Sequence, residues 1–265
     1  ITDIMFDGTD EDLRQTKVTQ PAVFLHSVIS ALCMGDDFKP EMTAGHSLGE
    51  FSALVAAGAL SFEDGLKLVY ARAMAMQKAC EATPSTMAAI IALPDEKVEE
   101  ICAAVNAEGE VCVPANYNCP GQIVITGAAD AVGEAGDACK EAGAKRVVPL
   151  KVSGPFHSAL LAEAGKKLGE ALEDVSIQPI TIPYLTNVTA DYVKDPADVK
   201  DYLVRQVSSS VRWQQTIERL IADGAEEFVE IGPGRSLSGF MRKINRDVTT
   251  CNIDKMEDFN KYVNR

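Results

Sequence analysis

Apolar residues recur along this chain with two periods. Some stretches repeat every third or fourth position, the spacing of a helix with one buried face. Others are short apolar runs closed by turn residues, which read as strands. The first third reads as helical around one short strand. Pro21 to Met34 is an apolar helix carrying His26, and Glu41–Ala44 is extended. A small-residue helical run, Glu50–Gly58, comes next. A further helix starts near Ser61 and runs to about Ala82, before Pro84. Its start, Ser61-Phe62-Glu63-Asp64, resembles an N-cap followed by acidic first-turn residues.

From about residue 84 the pattern changes. Met87–Leu93 reads as a strand, Asp95–Ala107 as an amphipathic helix after Pro94, and Val111–Asn118 as extended. Gly121–Gly127 is a strand, Ala129–Ala142 a helix and Lys145–Val152 a strand. This β-α-β-β-α-β order is the ferredoxin-like arrangement. It predicts a small subdomain, residues 84–152, inserted into a larger core made of 1–83 and 153–265. After Gly154-Pro155-Phe156-His157 a helix begins near Ser158 and ends near Glu173. Ile182–Leu185 reads as a strand, 198–222 as helical and Phe228–Ile231 as a strand ending in Gly232-Pro233-Gly234. Ser236–Asn245 is a helix and Lys255–Arg265 a short final one. Strands separated by helices predict an α/β fold with a mostly parallel core sheet.

Composition narrows the function classes. Apolar residues make up 46% and charged residues 24%, ordinary for a globular protein. No apolar run approaches the ~20 residues that span a bilayer. The N-terminus lacks the basic start and apolar core of a signal peptide and does not begin with Met, so the chain reads as a fragment. The seven cysteines are scattered and form no CxxC pair, which supports neither a zinc site nor a redox motif. Reduced thiols and a cytoplasmic, monomeric protein are the expectation. A net charge of −14 argues against a nucleic-acid surface. An acidic partner then needs a local basic patch, and Arg235, Arg242, Lys243 and Arg246 are the best candidates. The same four residues also read as a solvated helix face.

The chemistry centres on Gly45-His46-Ser47-Leu48-Gly49. An extended segment precedes it and a helix follows, the setting of a nucleophile elbow. Glycines allow the tight turn and the close helix–strand packing. Ser47 would stand at a helix N-terminus, where free N–H groups can stabilise an oxyanion. The competing reading is a structural turn. A serine nucleophile needs a base, and only three histidines exist. His46 should point away from Ser47, and His26 in its apolar helix reads as packed core. His157, at a strand-to-helix junction, is the candidate base, or else a helix-start residue. Arg72 has only apolar helix neighbours on its face: Leu68, Val69, Ala75, Met76 and Ala79. It either snorkels to the surface or clamps a carboxylate in a pocket. Asn116 and Asn118, before Pro120-Gly121, form a turn or face an acyl pocket. Gly232-Pro233-Gly234 is a tight turn or a phosphate site. No metal cluster or dinucleotide fingerprint stands out.

Gly45-His46-Ser47-Leu48-Gly49-Glu50, with Arg72 in the next helix and Phe156-His157-Ser158 further on, resembles the malonyl-CoA:acyl carrier protein transacylases of bacterial fatty acid synthesis. Thr19-Gln20-Pro21, Asn116-Tyr117-Asn118-Cys119-Pro120-Gly121-Gln122, Val211-Arg212-Trp213 and Glu230-Ile231-Gly232-Pro233-Gly234 extend the match over essentially the whole chain. The resemblance implies an α/β-hydrolase-like core carrying the ferredoxin-like subdomain. It implies that Ser47 attacks the malonyl thioester and that His157 is its base. Arg72 would clamp the malonyl carboxylate, and Leu48 N–H would be one oxyanion donor. The backbone carbonyl of Gln206 would orient the histidine, and Phe156 resembles the malonyl-selective form of its motif. Malonyl-CoA and the carrier's phosphopantetheine thiol are implied as substrates, with no cofactor. The family begins with a strand and a Gly-Gln-Gly turn that supplies the second oxyanion donor. Nothing in this sequence matches that unit, so weak or no activity is expected of the chain as printed.

Other function classes keep distinct signatures. An esterase or thioesterase with the same elbow has no use for a buried cation at Arg72. A carrier-protein binding module without catalysis would form no acyl-serine. An acyltransferase domain cut from a larger synthase would carry a linker-like flank, which the C-terminus does not show.

Overall fold

The computed structural model describes residues 1–82, 84–151 and 154–265. Two short helices, α1 (Thr2–Asp7) and α2 (Asp10–Arg14), lead into α3 (Thr16–Cys33). This third helix begins a turn before Pro21, although a proline mid-helix removes a backbone donor. Burial of Val18 and Gln20 on that added turn holds it in place. Strand β1 (Thr43–Ala44) leads through the elbow to α4 (Gly49–Ala56), and α5 (Phe62–Ala82) follows. Ser61 Oγ accepts from Asp64 N at 3.0 Å, so the predicted cap is present.

Next come β2 (Ser85–Ile91), α6 (Asp95–Ala107), β3 (Cys112–Cys119), β4 (Gln122–Ala128), α7 (Ala129–Glu141) and β5 (Arg146–Pro149). All six lie where the periodicity puts them. Val152, in the last predicted strand, and the subdomain boundaries at 83 and 153 lie outside the described residues. These four strands form one antiparallel sheet ordered β3-β4-β2-β5. One face packs on α6 and α7 through Ile90, Ile123 and Ile125. The other face, with Met87, Ala89, Ala115 and Val124, meets Phe156.

The chain then forms α8 (Ala162–Glu173), β6 (Tyr184–Leu185), α9 (Val199–Gln206), α10 (Trp213–Ala222), β7 (Glu227–Ile231), α11 (Ser236–Ile244), β8 (Thr249–Ile253) and α12 (Met256–Val263). The single helical stretch predicted over 198–222 is two helices. The break between them turns two carbonyls, of Gln206 and Ser209, toward His157, and pairs Val211 with Asn116. The sequence reading also misses β8, whose Thr-Thr-Cys-Asn-Ile run lacks an apolar signature and forms by pairing with β7.

Core strands pair in parallel, as predicted, but as two separate pairs, β1–β6 and β7–β8. A cavity of about 1070 Å³ lies between them, walled by Met42–Ala44 on one side and Phe228–Ile231 on the other. The largest apolar core joins α3, α4, α5, α8 and α9 around Phe24, Phe51, Leu54, Leu68 and Leu168. Gly65 lets α3 and α5 approach, since a Cβ there would meet the Phe24 ring at 2.8 Å. No helix among the described residues is long and apolar enough to cross a membrane.

Candidate active site

The elbow is strained at its centre. Ser47 has φ of 52°, in the left-handed region that non-glycine residues rarely enter. Such a conformation costs about 1–3 kcal/mol and persists only when its surroundings enforce it. Asn187 supplies that enforcement. Its Oδ1 accepts from Ser47 N at 2.6 Å and its Nδ2 donates to Gly45 O at 2.6 Å, bracketing the turn. Gly45 is sterically required, because a Cβ there would overlap the Gly49 carbonyl. Gly49 is not: its Cβ position is open. The expectation that both glycines serve close packing therefore holds for Gly45 alone.

His157 is the second strained residue, with φ of 61°. Ser158 Oγ closes its turn by donating to Pro155 O at 2.7 Å. Gly154 brings the turn against α5, since a Cβ there would overlap Cys80 Sγ. The imidazole Nε2 lies 2.8 Å from Ser47 Oγ. Its Nδ1 faces two carbonyl oxygens, of Gln206 at 2.9 Å and Ser209 at 3.1 Å. Carbonyls only accept, so Nδ1 carries the proton and Nε2 is the free base facing the serine. Burial, and after it the positive charge of Arg72, push His157 down to about 3. The ring is therefore neutral and ready to accept a proton at any ordinary pH.

Arg72 does not snorkel; it is 1% exposed. Its NH1 donates to Gln20 Oε1 at 2.6 Å, and its NH2 to Gln206 Oε1 and Ser47 Oγ, both at 3.1 Å. Its cationic carbon stands 5.8 Å from the centre of the Phe51 ring. All three acceptors are neutral, and Nε has no partner among the described residues. A buried guanidinium without a bonded anion is costly unless a ligand supplies one.

Behind these groups runs a network that sequence reasoning missed. Glu50, fully buried, accepts through Oε2 from Gln206 Nε2 at 2.8 Å and from Asn187 N at 3.0 Å. Gln206 Nε2 also donates to Ser47 O at 2.9 Å. Gln206 thus ties the base, the arginine and the elbow together, through its side chain as well as its carbonyl. Glu50 stands in the quoted motif and Gln20 in a matching stretch, but neither residue type alone signals a role.

Burial pushes the Glu50 carboxyl up to about 7. Oε1 makes no hydrogen bond within normal distance among the described residues, so a proton can settle there without disturbing the bonds on Oε2. The effects on stability have opposite signs. Glu50 holds its proton in the fold above its ordinary 4.5, so stability falls as pH rises from 4.5 through 7. His157 stays neutral in the fold below its ordinary 6.5, so stability falls as pH drops from 6.5 toward 3. Between 4.5 and 6.5 the two slopes cancel. Glu50→Gln removes one of them, so its thermal midpoint relative to wild type is expected to rise between pH 5 and pH 8. The gain is about 3 kcal/mol at most. A difference independent of pH would contradict this.

The remaining candidates sort as follows. His46 points away from Ser47, as expected; its Nε2 bonds Asn118 Oδ1 at 2.8 Å and its ring meets Trp213. Asn116 and Asn118 lie in β3, buried, rather than in a turn. Asn116 pairs with Val124 on the sheet face against which Phe156, the residue before His157, packs. His26 is only half-buried and contacts Asp254, so it is not a closed core histidine. Gly232-Pro233-Gly234 is a tight turn whose N–H groups bond Ile253 O and face the Asp254 carboxylate, which opposes the phosphate reading. Leu48 precedes the first residue of α4, where a helix leaves N–H groups unpaired.

Comparison with known proteins places the chain in a family. The model of the acyl transferase domain matches residues 1–253. The malonyl CoA-acyl carrier protein transacylase of Bacillus subtilis is 43% identical over 97% of this chain and 81% of its own length. The solved acyl carrier protein S-malonyltransferase of Vibrio cholerae superposes with a TM-score of 0.94 at 41% identity, over 98% of this chain and 85% of that one. A malonyl-transacylase solved in complex with its type II PKS acyl-carrier protein gives 0.95 at 37% identity, over 99% and 85%. The chain therefore belongs to the acyl transferase domain family and, within it, to the malonyl CoA-acyl carrier protein transacylases.

Proposed function

We propose that this protein transfers a malonyl group from malonyl-CoA to the thiol of an acyl carrier protein, through an ester on Ser47, for fatty acid chain elongation. One observation carries the reading: a buried arginine, whose hydrogen-bond acceptors among the described residues are all neutral, lies 3.1 Å from Ser47 Oγ. A neutral acyl ester has no use for that charge, whereas the free malonyl carboxylate pairs with it in a two-point clamp.

Ser47 Oγ attacks the thioester carbonyl as its proton passes to His157 Nε2. Leu48 N–H donates to the oxyanion. Collapse expels the CoA thiolate, which takes the proton from His157. In the second half the carrier thiol gives its proton to His157 and attacks the ester; the proton then returns to Ser47 Oγ. Pairing of Arg72 with the malonyl carboxylate also cancels the charge that lowers His157, so the base strengthens when the right substrate is bound.

The sheet order β3-β4-β2-β5 supports the ferredoxin-like description of residues 84–152. The core of 1–83 and 153–265 reads as α/β-hydrolase-like from its parallel pairs and the elbow between β1 and α4. Asn116 and Phe156 would line the acyl pocket between the two units.

Product analysis tests the proposal. With malonyl-CoA and a carrier bearing its phosphopantetheine arm, the expected products are malonyl-carrier and free CoA. Free malonate formed at the same rate without carrier would mark a hydrolase instead.

A further inference from the structure

Glu50 has no place in the proton transfers above, yet it lies fully buried in the first turn of α4, three residues after the nucleophile. An isolated ionised carboxylate is costly in such a site. Arg72, equally buried, poses the same problem with the opposite sign. Arg72 gives its hydrogen bonds to Gln20, Ser47 and Gln206, not to Glu50. One amide joins the two charges: Arg72 NH2 donates to Gln206 Oε1 at 3.1 Å, and Gln206 Nε2 donates to Glu50 Oε2 at 2.8 Å.

The direction of that amide is fixed by what it faces. Arg72 can only donate, whereas Glu50 Oε2 and Ser47 O accept. Turned over, the amide would set its NH2 against the cation and its oxygen against two other oxygens. Glu50 Oε2 also accepts from the backbone N–H of Asn187, the residue that brackets Ser47. Opposite charges one amide apart attract strongly in a buried site. Burial pulls Arg72 down to about 10 and the Glu50 charge opposes that fall; Arg72 in turn opposes the burial that raises Glu50. The other groups around Glu50 are neutral. They are Tyr184 of β6, kept a phenol by burial and the Glu50 charge, Thr186 and Asn187 after β6, and the Gln206 amide of α9.

We propose that Glu50 is the resting counter-charge of Arg72 and positions it from one amide away, so that the guanidinium is compensated but not capped when a substrate carboxylate arrives. A carboxylate bonded directly to Arg72 would have to be displaced by the substrate. Held behind Gln206, it need only lose its charge. Once the malonyl carboxylate pairs with Arg72, two carboxylates share one buried cation, and like charges in one site disfavour ionisation of both. Glu50 then takes a proton from solvent on Oε1, which makes no hydrogen bond within normal distance among the described residues. This exchange with substrate rests on the transacylase reading; the resting pair does not.

Thermal midpoints of wild type, Glu50→Gln, Arg72→Met and the double variant, at pH 6 and pH 8, test the resting pair without turnover. At pH 8, Glu50→Gln should raise the midpoint by about 2–4 °C more in the Arg72→Met background than in wild type, because Glu50 there has lost its counter-charge. At pH 6, where Glu50 mostly holds its proton, the two gains should agree. A difference of the same size at both pH values, or none at either, would overturn the proposal. Proton uptake during loading tests the exchange. Moving an acyl group from a thioester to a serine hydroxyl leaves a neutral thiol and exchanges no proton with solvent at pH 7. Malonyl-CoA added in weak buffer with a pH indicator should draw up about half a proton per malonyl-serine at pH 7, the adducts being counted by intact mass. Loading of Glu50→Gln, or of wild type by acetyl-CoA, should draw up none. Malonyl loading of wild type without uptake would overturn the proposal. Uptake that persists in Glu50→Gln would also overturn it, assigning the proton to His157. Equal loading of Ser47 by acetyl-CoA and malonyl-CoA would instead overturn the transacylase reading and leave the resting pair to the thermal measurement.

Discussion

Replacing His157 by alanine is expected to slow acylation of Ser47 by malonyl-CoA about 10³–10⁴-fold. The serine hydroxyl has a pKa far above neutrality and cannot attack a thioester while it keeps its proton. The 2.8 Å contact from Oγ to Nε2 is the route by which the buried His157 takes that proton. The residual rate comes from the oxyanion donor and from substrate binding, which the substitution leaves in place. Because backbone carbonyls orient the ring, Gln206→Ala should preserve the tautomer while loosening the side-chain ties to Arg72 and Ser47. Single-turnover release of CoA measures both variants. A loss below tenfold in His157→Ala would show that another group takes the proton.

Arg72→Ala is expected to lower kcat/KM for malonyl-CoA by about 10²–10³-fold, the worth of a charge-assisted clamp in a buried site. Its effect on acetyl-CoA should be small, because that substrate presents nothing for the guanidinium to hold. The malonyl preference should therefore collapse rather than the activity as a whole. The variant also frees Gln20 and Gln206 of their bonds to the cation, so a modest change in thermal midpoint is expected alongside. Arg72→Lys should recover only part of the loss, since an ammonium cannot form the planar two-point pair. Competition between malonyl-CoA and acetyl-CoA for Ser47 is the direct measurement. Equal losses for both substrates would mean that Arg72 shapes the site without reading the carboxylate.

What was legible in the sequence follows from how local the causes are. The elbow is set by Gly45 and the strand and helix on either side of it, so the order of residues displays it. The order of strands and helices from β2 to β5 is equally plain, because the period changes at turn residues. Arg72 was ambiguous for a physical reason: an arginine on an apolar face looks the same whether it snorkels or binds. Only the neutral acceptors from Gln20 and Gln206, 52 and 134 residues away, decide it. Asn187 and Glu50 were invisible in the same way, since their partners are backbone atoms and amides brought close only by the fold. The split of 198–222 into two helices was hidden too, because Ser208-Ser209-Ser210 breaks a helix only weakly and the break is held by tertiary partners, Pro114 O for Ser210 Oγ and Asn116 for Val211. Strand β8 carries little apolar signal and exists through its pairing with β7.

Intact-mass spectrometry after brief mixing with malonyl-CoA, alongside Ser47→Ala, tests the central claim most directly. The account predicts a single malonyl adduct, absent from the Ser47→Ala protein and discharged when carrier protein is added. An adduct that persists at the same level in Ser47→Ala would place the nucleophile elsewhere and contradict acyl transfer through this serine.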